Sequence, residues 1–64
     1  MGTRIVTRVE TGEFLAGWDT FGQPKYTTDV RLADRMNFPT ASRVALNLKD
    51  VFSKGEHRVL TSTV

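Results

Sequence analysis

The single histidine of this 64-residue chain, His57, directly follows Glu56. To act as a general base, an imidazole needs an orienting carboxylate and a nucleophile or substrate proton within reach. Glu56 is the neighbour in sequence, but successive strand residues point to opposite faces, so His57 reads as a surface histidine beside a turn. The seven carboxylates, Glu10, Glu13, Asp19, Asp29, Asp34, Asp50 and Glu56, carry no hydrolase or metal-site spacing. Asp19 fits a turn and Asp29 a helix cap, while Glu10 and Glu13 flank Thr11-Gly12 and can face one another, or Arg4 or Arg8, across a hairpin. One histidine and no cysteine exclude two-histidine and four-cysteine metal sites. Gly12, Gly17 and Gly22 are spaced by five, which matches neither a Walker loop nor Gly-x-Gly-x-x-Gly. These residues predict no catalytic group, no metal and no cofactor.

The aromatic residues offer contact rather than catalysis. Trp18 and Tyr26 flank one turn and Phe21 sits at its tip. A phenylalanine there either folds back as a lid on the core or stays exposed as a contact residue. An exposed aromatic with arginines nearby can stack on a base or fill a protein pocket. The candidate interaction surface is therefore Phe21, Tyr26, Arg31 and Arg35.

The elements that must position these residues follow from the patterning. Residues 3–10 are rich in β-branched side chains and alternate, with Ile5, Thr7 and Val9 on one face and Arg4, Val6, Arg8 and Glu10 on a mainly polar one. Thr11-Gly12 predicts a two-residue turn. Residues 13–19 form the second arm, with Phe14, Ala16 and Trp18 on its apolar face and a bulge at Gly17. A turn over residues 19–24 leads to a short strand at 25–28, with Pro24 at its start or on an edge. Asp29 is expected to cap a two-turn helix at residues 30–36, closed by Asn37 in the left-handed conformation. Thr40 is expected to cap the main helix, with Phe38 extended before Pro39.

The clearest periodic signal is Ala41, Val44, Ala45 and Leu48, continued by Val51 or Phe52, with Leu46 off the stripe. Lys54-Gly55 is expected to end the helix, and residues 57–64 to form the last strand. The order β-β-β-(short α)-α-β predicts an α+β two-layer sandwich: one main helix on a mainly antiparallel sheet of three or four strands, in a single small domain. The helix stripe is expected to pack on Phe14 and Trp18. The last strand has no charge after Arg58 and none of the usual blocking lysines, prolines or bulges. It lies either at a sheet edge, open to self-association or to a partner's strand, or centrally in a monomer.

One resemblance appears when several segments are read together. They are Gly12-Glu13-Phe14-Leu15-Ala16-Gly17-Trp18-Asp19, Gly22-Gln23-Pro24-Lys25-Tyr26-Thr27, the step from Ala33 to Phe38, and Pro39-Thr40 leading into a helix with Ala41 and Ala45. This order resembles that of small uncharacterised proteins encoded by bacteriophages and related mobile elements, over roughly residues 3 to 60. The resemblance implies a ββ(β)αβ fold and an accessory role, and it carries no catalytic residue over.

Composition sets the remaining bounds. The chain is 39% hydrophobic and 25% charged, which suits an ordinary globular domain. A net charge of +2 comes from nine basic residues scattered among acids, a mixed solvated surface rather than a basic face. Nothing approaches a membrane span or a signal peptide, and Val6 stands where a myristoylation signal needs Ser or Thr. These features predict a non-enzymatic, cytoplasmic protein-interaction module, or one that pairs with itself as a homodimer; the resemblance implies that its partner is a host or phage protein, which it modulates or inhibits. A nucleic-acid-binding accessory protein using the arginines and an exposed aromatic is the alternative. No membrane partner is expected.

Overall fold

In the computed structural model, which describes residues 3–62, the alternating run at the start of the chain forms β1 (Arg4–Arg8). It turns into β2 (Phe14–Trp18), and β3 (Pro24–Thr27) follows. A single 3-10 turn (Val30–Leu32) and helix α1 (Phe38–Asp50) lead to β4 (His57–Thr61). The strands make one antiparallel sheet in the order β3-β2-β1-β4, with α1 on one face. The α+β sandwich predicted from the patterning is thus what forms, with four strands. The last strand takes the edge position beside β1, and residues 63 and 64 lie outside the described residues.

The first hairpin loop has four residues, Val9 to Gly12, rather than the expected two. The Arg8 amide donates to the Glu13 carbonyl at 2.7 Å, and the Gly12 amide returns to Arg8 O at 2.7 Å, with Gly12 at φ 75°. That closure pairs Thr7 with Phe14 and so sets Val6 beside Leu15. The helix covers this face. Val6, Leu15, Ala41 and Leu48 form the buried cluster, and Met36, Val44, Ala45, Phe52 and Val59 pack against it.

The helix stripe is as the periodicity predicts, with Phe52 rather than Val51 completing it. Its partner differs. Phe14 alternates to the other face, and Leu15 takes the core position expected of it. Trp18 does reach the helix side, because the register shifts between Leu15 and Gly17. The bulge expected at Gly17 adds one residue and reverses the alternation, which brings the Trp18 ring to 5.4 Å from that of Phe52.

The expected two-turn helix at residues 30–36 is reduced to the 3-10 turn, capped by Asp29 through the Arg31 amide at 3.0 Å. Ala33 is already extended (φ −65°, ψ 140°). A helix this short gains too little to nucleate, and extended backbone finds better partners here. The Asp34 amide donates to Leu15 O at 2.8 Å. Met36 and Arg4 exchange two backbone hydrogen bonds, at 2.8 and 3.0 Å. This segment therefore fills the gap where β2 diverges from β1.

Asn37 is correspondingly not a left-handed terminator. At φ −75° and ψ 166° it caps α1, accepting from the Thr40 amide at 3.0 Å. Phe38 is helical, not extended, and Pro39 sits in the first turn, where a missing N–H costs nothing. At the other end the Val51 and Phe52 amides share Asn47 O, and Ser53 takes a left-handed φ of 56° two residues before Gly55.

Leu48→Ala is expected to lose about 2–5 kcal/mol of stability by leaving a cavity between α1 and β1. Leu46→Ala, at a side chain 58% exposed, should move the chemical denaturation midpoint little by comparison.

Candidate functional site

The β2–β3 turn is built on Asp19. Its Oδ1 accepts from the Phe21 amide at 2.8 Å and the Gln23 amide at 2.9 Å, and its carbonyl accepts from Gly22 at 3.1 Å. The Asp19 amide in turn donates to Gln23 O at 2.9 Å. With Gly22 at φ 79°, this network fixes the loop from inside. It holds the Phe21 side chain outward, 87% exposed. Of the two placements open to the sequence, lid on the core or exposed side chain, the exposed one forms.

The other three residues of the predicted surface have separate environments. Arg31 is clamped on Asp29, with Nε to Oδ1 at 3.1 Å and Nη2 to Oδ2 at 3.0 Å. That pair holds the Asp29 carboxyl below its ordinary range. Arg35 folds back on its own loop, donating to the carbonyls of Ala33 (3.0 Å), Val30 (3.3 Å) and Arg31 (3.4 Å). Tyr26 is turned inward. Its ring lies under the Arg8 guanidinium, 5.6 Å from the centroid, and its hydroxyl is 2.8 Å from His57 Nε2.

Tyr26, Arg8 and His57 form a cluster that sequence reasoning did not assemble. Tyr26 comes from one sheet edge and His57 from the other. Arg8 pairs with His57 across β1 and β4 and sends its Nε to Lys54 O at 2.8 Å. His57 Nδ1 lies 2.7 Å from Gly55 O, a group that can only accept, so Nδ1 carries the proton. Nε2 is then the acceptor for the Tyr26 hydroxyl. Burial pushes the His57 pKa below its ordinary value; the Gly55 carbonyl opposes this, Arg8 adds to it, and Glu56 opposes it. Burial likewise raises the Tyr26 phenol, against Arg8. Both groups are therefore neutral near pH 7, joined as a clasp between the sheet edges. A signal for the cluster existed only in the pairing of Arg8 with His57, which requires the strand order.

The remaining ionic contacts are at the surface: Lys49 with Glu56 at 2.6 Å and Arg8 with Glu10 at 3.3 Å. Among the described residues, no three metal-ligating side chains gather in one place, and no helix is long and apolar enough to cross a membrane. No protein family, curated protein or solved structure matches the chain.

Because the folded His57 pKa lies below the unfolded value of about 6.5, the clasp stabilises fully above that pH. Its contribution is lost as the pH falls through 6.5 and then through the folded value. Denaturation midpoints measured between about pH 7 and 5 should fall on acidification, and Tyr26→Phe, which strands Nε2 without its donor, should lower the midpoint at pH 7.

Proposed function

We propose that this protein is a small protein-interaction module of the bacteriophage accessory kind, which seats the Phe21 tip in an apolar pocket of a host protein and so modulates or inhibits it. The observation that carries this reading is the outward Phe21 ring on a turn locked by Asp19. A large aromatic presented on a pre-ordered loop loses little conformational freedom on binding, and such residues supply much of the binding energy at protein interfaces. The arginines support a protein partner over a nucleic acid. Arg8, Arg31 and Arg35 are held against carbonyls or carboxylates of the same chain rather than spread along one face.

The test is capture from a host lysate with the tagged protein, with and without nuclease, beside Phe21→Ala. A specific protein should be retained whether or not nucleic acid is digested. Its retention should drop about tenfold or more with Phe21→Ala, whose fold is unchanged by circular dichroism. Retention that disappears with nuclease would favour the nucleic-acid alternative.

A further inference from the structure

The two edges of the sheet differ. The β3 edge opens on Pro24, which has no donor, and carries Lys25, the residues that natural edges use to refuse further strands. The β4 edge has neither. The Val9 amide donates to Glu56 O at 3.0 Å and the Ser62 amide to Thr3 O at 2.9 Å. By the antiparallel alternation, Arg58 and Leu60 also exchange their backbone bonds with β1. His57, Val59 and Thr61 therefore turn their amides and carbonyls outward, and among the described residues no hydrogen bond reaches them.

We infer that a second copy of this chain occupies that edge, giving a two-fold dimer with β4 antiparallel to β4 in one eight-stranded sheet. The outward set is symmetric about Val59, so the strand is complementary to itself. Centred there, Val59 faces Val59, His57 faces Thr61, and Arg58 faces Leu60 of the other copy. Like charges directly opposite are unfavourable. Centring on Arg58 would set the two guanidiniums face to face, and centring on Leu60 would pair only the last part of β4. The Val59 register avoids both and lays the Arg58 stem beside Leu60, a side chain 40% exposed.

On the helix face, the groove beside β4 is mixed, with Ala45, Leu46 and Val59 beside Ser42, His57 and the Lys49–Glu56 pair, so the β4 joint rests on the strand pairing itself. The joint closes by symmetry and leaves only the two guarded β3 edges outward, so assembly stops at the dimer. This interface uses a different surface from Phe21.

Sedimentation equilibrium over about 10 μM to 1 mM suits a joint of this small class, and the mass should rise from one chain toward two. Leu60→Lys sets a lysine opposite Arg58 twice per dimer and should weaken association about tenfold or more. Adding Arg58→Glu to that variant restores an opposite-charge pair and should bring the dimer back. Phe21→Ala should leave association unchanged, which separates this proposal from the previous one. Amide exchange on the unaltered protein should slow with concentration at His57, Val59 and Thr61 and not in β3. A single-chain mass across the range would overturn the proposal. So would dimerisation indifferent to Leu60→Lys, failure of the double variant to recover, or protection arising only when an unrelated protein is added.

Discussion

The backbone of β1 lies between neighbours on both sides, and each of its polar groups needs a partner there. On one side β4 supplies them along the whole strand, from Arg4 opposite Thr61 to Arg8 opposite His57. On the other, β2 pairs only near Thr7 and then peels away. The Met36 segment takes over at Arg4, and the same stretch returns a hydrogen bond to Leu15 on the departing strand. The short connection between β3 and α1 is therefore part of the sheet. This arrangement also places Met36 against the core and starts α1 immediately afterwards, at Asn37.

The legible parts of the fold were those with a strong local period. Ala41, Val44, Ala45 and Leu48 recur at helical spacing, and no other element offers them a competing arrangement. The Gly17 bulge was legible because glycine inside a strand has few other uses. The covered face of β1 was not, since both Ile5 and Val6 are buried and alternation alone does not rank them. Asn37 and Thr40 are both capable caps three residues apart. The proline between them settles the choice, because it fits the first turn of a helix begun at Asn37. Residues 34–36 failed as a helix because their partners, Arg4 and Leu15, are distant in sequence. The exposed Phe21 is one of the two placements open to an aromatic at a turn tip. The Tyr26–His57 clasp was beyond reach, since it depends on a sheet order that joins residues 31 positions apart.

The arginines show how a small chain without disulfides uses charge for cohesion. The Arg4 guanidinium lies over the Phe38 ring, 5.4 Å from its centroid, and donates to the Thr61 hydroxyl, so it ties the start of α1 to β4. Arg8 ties the loop after the helix, at Lys54, to the β3 aromatic. Arg35 wraps the 3-10 turn. Each head satisfies an oxygen, and those of Arg4 and Arg8 also cover an aromatic ring, so removing either of these two would disturb packing as well as charge. The mixed composition that reads as an ordinary solvated surface is in part a set of crosspieces.

The pairing of β1 with β4 also bears on how the chain matures during synthesis. The first strand emerges from the ribosome long before its partner, which follows more than forty residues later. Until β4 joins, a closed β1–β2 hairpin leaves one flank of β1 open. Contacts this distant in sequence close late. The outer flank of β1 is therefore covered among the last contacts to form, and only once residues 57–61 are free of the ribosome.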